Sequence, residues 1–242
     1  VLLMFFGKKK AQESIQTDDR LQHIAFIMDG NGRWAKRRGM PREYGHRAGA
    51  DNFKKLTRHC GDIGIHTVTV YAFSTENWKR PQHEIDCILQ LFRDYISDAM
   101  GALEENGIHF IFLGDRSVFD AETQRRMNEL ETVSASYPLT LNIAINYGGR
   151  DEIVHAVNEA LAEGAGCITK EDIDAHLYTR QSPPPDLIVR TGGEQRLSNF
   201  LLWQSDYAEL YFSPILWPDF SNQDVDAAVK DFYQRKRRFG AV

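Results

Sequence analysis

Cysteine is scarce in this 242-residue chain, with three in all. Cys60, Cys87 and Cys167 stand far apart and none falls in C-x-x-C spacing, so neither a disulfide framework nor a zinc site is indicated. The expected compartment is the reducing cytoplasm. No apolar run approaches the roughly 20 residues that cross a bilayer. The opening VLLMFFGKKK is apolar first and basic second, the wrong order and too short for an export signal. Its Phe5, Phe6 and Lys8 to Lys10 leave two readings, a frayed end or a transient membrane contact. An excess of cations is also missing. With 29 Lys and Arg against 34 Asp and Glu, the net charge is -5, which argues against a dedicated nucleic-acid binder, whose counterion release needs a basic surface. Internal repeats and low-complexity tracts are absent. What is present is 42% hydrophobic residues, enough for a real core at this length. One α/β domain over residues 21–242, behind a flexible tail of residues 1–20, is the expectation.

The densest chemistry lies in HIAFIMDGNGRWAKRR, His23 to Arg38. An apolar run from Ile24 to Met28 ends in a carboxylate, two glycines, an Asn and an Arg, and then helix-forming residues begin. That is a strand, a phosphate-sized loop and a helix start. In a parallel sheet the carboxyl ends of strands face the ligand crevice, where Asp29 would be presented. Gly30 and Gly32 let backbone N–H groups approach an anion that the helix start also favours. Beside a phosphate, Asp29 repels unless a divalent cation lies between, and hard oxygen ligands suit Mg²⁺. The stretch therefore reads as a metal-assisted diphosphate site. Two readings compete. Gly30, Gly32 and Ala35 also fit a loose dinucleotide fingerprint, with Asp51 about twenty residues on, although Asp51 falls in a helical stretch. A glycine turn after an acid also has a purely structural explanation.

Strands are expected at Thr67 to Phe73, at Ile108 to Gly114, from Leu139 into Asn146, Tyr147, Gly148 and Gly149, at Asp186 to Arg190, and at Tyr207 to Phe212. Between them, helical spacing marks Phe53 to Ile63, a long apolar stripe from Ile85 to Leu103, Ala121 to Ser136, a face of Ile153, Val154, Val157 and Leu161, Thr169 to about Leu177, and Asn222 to Arg238. The alternation predicts a mostly parallel six-stranded sheet flanked by helices. The stripe from Ile85 is core by default, and its width leaves open that part of it lines a greasy pocket. Polar residues gather after the strands: Ser74, Thr75, Glu76, Asn77, Trp78 and Arg80 after the second, and Arg190 with TGGEQRLSNF after the fifth. Arg42 and His46, with a proline and two glycines around them, are expected in a loop near the first strand's mouth.

DGNGRW, GHRAG, YAFSTENWKRP, NYGGR, RTGGEQRLSNFLLWQ and YAELYF, in this order, resemble the cis-prenyltransferases. The likeness is closest to the bacterial undecaprenyl diphosphate synthases, which extend farnesyl diphosphate with isopentenyl diphosphate towards a cell-wall lipid carrier. It covers His23 to Gly240 and implies an α/β sheet with an apolar tunnel, used as a homodimer. Neither the family nor this sequence has the paired D-D-x-x-D motifs of trans-prenyltransferases. The resemblance implies that Asp29 holds Mg²⁺ on the allylic diphosphate, while Gly30, Asn31, Gly32, Arg33, Arg42 and His46 bind its phosphates. Arg190, Arg196, Leu197 and Ser198 would take isopentenyl diphosphate, with Glu209 as a second Mg²⁺ contact. Trp34, Phe73 and Trp78 would shelter the electron-poor allylic carbons, and Ser74, Thr75, Glu76 and Arg80 complete the substrate site. The family places proton removal at Asn77, but a neutral amide is a feeble base. Asn77 is therefore expected to position a diphosphate oxygen or a water that takes the proton. Gln195 stands where some bacterial members have His. Arg238-Phe239-Gly240 resembles an R-x-G tail that reaches a partner's active site. The alternatives of other classes are a catalytically silent binding subunit and, less favoured, an NAD-linked oxidoreductase. Retention of Asp29, Asn77, Arg190 and Glu209 together speaks against the first.

Overall fold

All five residues of HIAFI are buried, as a strand covered on both faces requires. In the computed structural model, which describes residues 15–237, this run is β1 (His23–Ile27). There follow α1 (Asn31–Arg37), α2 (Arg42–Asp62), β2 (Thr67–Ser74), α3 (Gln82–Gly101), α4 (Leu103–Asn106), β3 (Ile108–Leu113) and α5 (Ala121–Ser134). The second half holds β4 (Leu139–Tyr147), α6 (Gly149–Ala162), α7 (Lys170–His176), β5 (Leu187–Arg190), β6 (Glu209–Phe212) and α8 (Asn222–Gln234). The six strands form one sheet in the order β3-β4-β2-β1-β5-β6, and every pairing is parallel. Chain order reverses between β1 and β5, where Ile27 pairs with Arg190. Ligands of open α/β sheets lie beyond the strands' carboxyl ends at such a reversal.

The main core packs α2, α3, α5 and α8 on one face through side chains such as Phe53, Phe92, Met127 and Val229. On the other face Phe200 and Leu201 join Ala25, Ile27 and Ile188, and α6 and α7 meet through Ala156 and Ile173. Strict alternation fails in β2. Tyr71 belongs to the second face and Phe73 to the first, because the register against β4 shifts between them.

Several boundaries differ from the sequence reading. The stripe from Ile85 to Leu103 is two helices, interrupted at Ala102. Arg42 and His46 are not in a loop, since α2 starts at Arg42 and carries both in its first turns. The glycines that suggested a break serve instead for close approach: a Cβ on Gly45 would lie 2.0 Å from the Asn31 carbonyl, and one on Gly49 2.5 Å from Asn31 Oδ1. Residues 15–20 are fastened rather than loose: Thr17 Oγ1 donates to the Ile63 carbonyl at 3.0 Å, and Arg20 lies over the Tyr233 ring at 4.4 Å. Phe5, Phe6, Lys8 to Lys10 and Arg238-Phe239-Gly240 lie outside the described residues. No helix of the described residues is long and apolar enough to cross a membrane.

One polar chain crosses the buried sheet. The Pro183 carbonyl only accepts, so His23 Nδ1 carries the proton it receives at 2.7 Å, and Nε2 accepts from the Thr69 hydroxyl at 2.7 Å. Asn142 donates to Thr69 Oγ1 at 2.9 Å. Burial lowers the His23 pKa to about 4, outweighing the Pro183 bond. An imidazole depressed below its unfolded value stabilises the fold above pH ~6.5 and loses that contribution as pH falls towards 4, worth up to about 3 kcal/mol. We expect the His23 ring to stay neutral in NMR titrations down to pH ~5. A ring titrating near its ordinary value would contradict this.

Candidate active site

Past β1 the chain turns sharply, with the Asp29 N–H donating to the Ile27 carbonyl at 2.9 Å. Gly30 then takes φ 113°, and a Cβ there would lie 2.8 Å from a Leu216 methyl, so only glycine fits. The turn presents the Asp29 carboxylate between two arginines. Its Oδ1 is 3.0 Å from Arg33 Nη2, one turn into α1, and its Oδ2 accepts from Arg190 Nη2 at 3.0 Å, from the end of β5. Arg190 is 4% exposed, and its other Nη donates to the Arg196 carbonyl and to Ser198 Oγ at 2.7 Å. Thr191 Oγ1 donates to the Asp29 carbonyl at 2.8 Å, and Arg33 Nη1 to the Gly192 carbonyl at 2.6 Å. The sheet reversal has therefore brought the loops after β1 and β5 into one charged knot.

A polar cavity of about 520 Å³ opens here, lined by Asp29, Asn31, His46, Ser74, Asn77 and Arg190, among others. It adjoins an apolar cleft of about 100 Å³ walled by Phe53 from α2, Ile88, Phe92 and Tyr95 from α3, and Ile143 from β4. Met28, Asn31, His46, Ala72 and Ile88 border both. Among the described residues the apolar space at the site is this short cleft, and not a tunnel running through the domain.

Sequence reasoning missed Glu84. The residue is 2% exposed and its carboxylate is surrounded by hydrogen-bond donors: Arg80 Nη1 donates to Oε1 at 2.8 Å, His46 Nε2 lies 3.0 Å from the same oxygen, and Arg42 Nε is 3.1 Å from Oε2. Burial alone would push the Glu84 carboxyl up; His46, Arg80 and Arg42 outweigh it and hold the pKa below its ordinary value. Burial likewise lowers His46, more than Glu84 raises it. At neutral pH the carboxylate is ionised and the imidazole neutral, so Nε2–H is the donor. An acid in a first helical turn usually reads as a complement to the helix dipole. The Arg80 to Glu84 spacing of one turn was the available signal.

Other expected residues are placed differently. Trp34, Phe73 and Trp78 line neither cavity. Trp34 Nε1 donates to Asp219 Oδ1 at 2.7 Å and its ring carries Arg38, while Phe73 is buried edge-on against Trp78, whose Nε1 donates to Asn146. The aromatic ring at the polar cavity is Tyr71, while the β2 register shift after it turns Phe73 to the other face. Asn77 Oδ1 accepts the Ser74 N–H at 3.1 Å, closing the turn of residues 75–79, which engages the oxygen and leaves the amide NH2 as a donor. The Arg196 guanidinium pairs with Glu194 at the surface, leaving its carbonyl to hold Arg190. Leu197 packs into the second core. Glu209 pairs with Leu187 at the amino end of β5 and binds Arg235 at 2.7 Å. At about 3.3 Å per residue that is roughly 15 Å along the strands from Asp29, so the two do not share an ion within one chain.

Among the described residues no three His, Cys, Asp or Glu side chains cluster as a metal site. Asp29 nevertheless offers hard oxygens at the cavity, and the buried Asn31 Oδ1 has no hydrogen-bond partner. One carboxylate beside an open anion site suits Mg²⁺, which keeps waters and takes substrate phosphates as ligands.

A switch-point carboxylate, converging guanidiniums and an adjoining apolar cleft define an enzyme for substrates with a phosphorylated head and an apolar body. The chain belongs to the undecaprenyl diphosphate synthase family, whose model, described as "Putative undecaprenyl diphosphate synthase", matches residues 27–240. It is similar to an isoprenyl transferase of Neisseria gonorrhoeae, 48% identical over 220 residues that cover 90% of this chain and 89% of the relative. An isoprenyl transferase of Clostridium perfringens is 43% identical over 252 residues, covering 100% of both chains. Among solved structures, lavandulyl diphosphate synthase from Lavandula x intermedia, in complex with dimethylallyl diphosphate, superposes with a TM-score of 0.87 at 33% identity. That alignment covers 93% of this chain and 100% of the other. The protein is thus a prenyltransferase, and Asp51, inside α2 rather than at a strand end, has no place in a dinucleotide site.

Proposed function

We propose that this prenyltransferase elongates farnesyl diphosphate with successive isopentenyl diphosphate units, making cis double bonds and a long polyprenyl diphosphate of the undecaprenyl type. It would act as a homodimer in the cytoplasm, with transient membrane contact for delivery of a cell-wall lipid carrier. The observation that supports this most is the Asp29 carboxylate, held between Arg33 and Arg190 at the mouth of an apolar cleft.

In each cycle the allylic C–O bond breaks and diphosphate leaves with the electron pair. The double bond of isopentenyl diphosphate attacks the freed carbon, and a proton is lost from the adjacent carbon. Arg33, Arg42, His46 and the N–H groups of residues 30–32 face the leaving diphosphate, where donors stabilise growing charge. Arg190 and Ser198 grip the diphosphate that stays, aided by Arg196. Asn77, a donor, orients the oxygen that takes the proton. Asp29 would hold Mg²⁺, whose chemistry there would be charge neutralisation on the departing group. The apolar cleft receives the hydrocarbon tail.

Farnesyl diphosphate, labelled isopentenyl diphosphate and Mg²⁺ should give a ladder of long lipid products, silenced by EDTA. Absence of any extended lipid would overturn the proposal.

A further inference from the structure

Helix α6 starts after Gly148, so no side chain of its own caps it. One distant residue does the work instead. The Asn199 carbonyl accepts the Gly149 N–H at 2.7 Å, and Asn199 Oδ1 accepts the Arg150 N–H at 2.9 Å. The amide of the same side chain donates to Glu76 Oε1 at 2.8 Å, in the turn that carries Asn77. A second tie runs alongside, from Thr75 Oγ1 to Asp151 Oδ2 at 3.0 Å. On the other side of Asn199, Ser198 receives Arg190. Three segments of the site, the turn after β2, the start of α6 and the loop after β5, therefore meet at one side chain.

The loop around it is strained. Ser198, Asn199 and Leu201 hold φ values of 51°, 64° and 46°, a left-handed region that side chains other than glycine adopt at a cost. Such strain persists only where the surroundings over-determine it, and it gathers at functional sites. Here the surroundings are the α6 amides, Glu76, and buried Phe200, whose ring stacks on Tyr71 at 4.6 Å.

We propose that Asn199 is a positioning residue that fixes the Arg190–Ser198 grip at one separation from the Asn77 turn, so that the isopentenyl unit and its proton acceptor stay in register. This rests on the condensation proposed above. Arg190 stays anchored to Asp29 without Asn199. The allylic side is therefore spared, and the loss falls on the step that needs both loops aligned.

The test is a four-protein cycle of wild type, Asn199→Asp, Glu76→Gln and the double variant, each measured for kcat, for KM of both substrates and for Tm. Asn199→Asp keeps an oxygen for the Arg150 N–H and adds a charge that the start of α6 favours, so the cap survives. It also sets a carboxylate against Glu76 where a hydrogen bond had been. We expect kcat to fall about 10-fold, a change the loss of one charge-assisted bond accounts for, with KM for farnesyl diphosphate unchanged. Adding Glu76→Gln restores a donor facing an acceptor, so the double variant should be faster than the two single-variant losses multiplied together predict. An Asn199→Asp protein as fast as wild type, or single-variant losses that simply multiply in the double variant, would overturn the inference. An inactive wild type would instead sink the proposed reaction. The coupling is then read from Tm, where the double variant must melt above Asn199→Asp, and equal melting would refute it.

Discussion

Asp29→Asn should yield a protein that still takes up inorganic diphosphate yet turns over at least ~1,000-fold more slowly, a loss of about 4 kcal/mol of transition-state stabilisation. Asp29 is the one carboxylate in the knot of Arg33, Arg190 and the α1 start, and no three-residue metal cluster exists among the described residues to replace it. The same geometry gives the substitution a structural cost. Exposed loop polarity would contribute little to stability, but the Arg190 side chain is 5% exposed and loses its counterion. Breaking a buried pair costs up to 3–5 kcal/mol; with the Asp29 side chain 29% exposed, about 2 kcal/mol is the appropriate figure. Inorganic diphosphate, supplying the missing negative charge, should raise Tm more in the variant than in wild type. Full Mg²⁺-dependent activity in purified Asp29→Asn would remove this residue from the reaction.

Glu84→Gln is expected to have the next largest effect, although Glu84 need touch no substrate. The variant loses the charge that holds Arg42, His46 and Arg80 together while keeping the shape of the side chain. Arg42 and Arg80 are partly solvated, so the cost lies below that of a sealed ion pair, about 2–3 kcal/mol, or roughly 5–10 °C in Tm for a chain of this size. Freed cations sample many directions, and preorganised donors become mobile ones. KM for farnesyl diphosphate should rise roughly 30-fold while KM for isopentenyl diphosphate, gripped by Arg190, stays within about twofold. Equal effects on both substrates would show that Glu84 does not distinguish the two subsites.

The six strands, their parallel order and the placing of Asp29 and Arg190 at carboxyl ends were legible because burial on both faces forces apolar runs and glycine loops punctuate them. Where the reading failed, the deciding contact was remote in sequence. Gly45 and Gly49 looked like helix breakers because the Asn31 backbone and side chain that need their bare α-carbons lie at another place in the chain. Phe73 and Tyr71 exchanged roles through a register shift that has no compositional mark. Glu209 looked like a second metal ligand by resemblance, and only the pairing of β6 with β5 puts it at the amino end of the sheet. Asn199 gave no sign in the sequence of its left-handed backbone or of the helix it caps.

The bare α-carbons of α2 also decide how the cleft can breathe. Because Gly45 and Gly49 seat α2 directly on Asn31, that helix cannot shift without dragging the anion loop along. Facing it, α3 reaches the charged part of the site at its first turn, through Glu84. Farther along, the exposed pair Lys54 to Asp98 at 2.7 Å joins it to α2, while Arg93 to Asp120 at 3.3 Å and Arg126 to Ser97 at 2.9 Å join it to α5 and the turn before it. The cleft thus lies between a helix seated on the anion loop and a helix fastened beside the polar cavity and braced on α5. Both walls are fastened at their charged end, so whatever fills the cleft meets a centre whose geometry is set by Asn31 and Glu84 rather than by the filling.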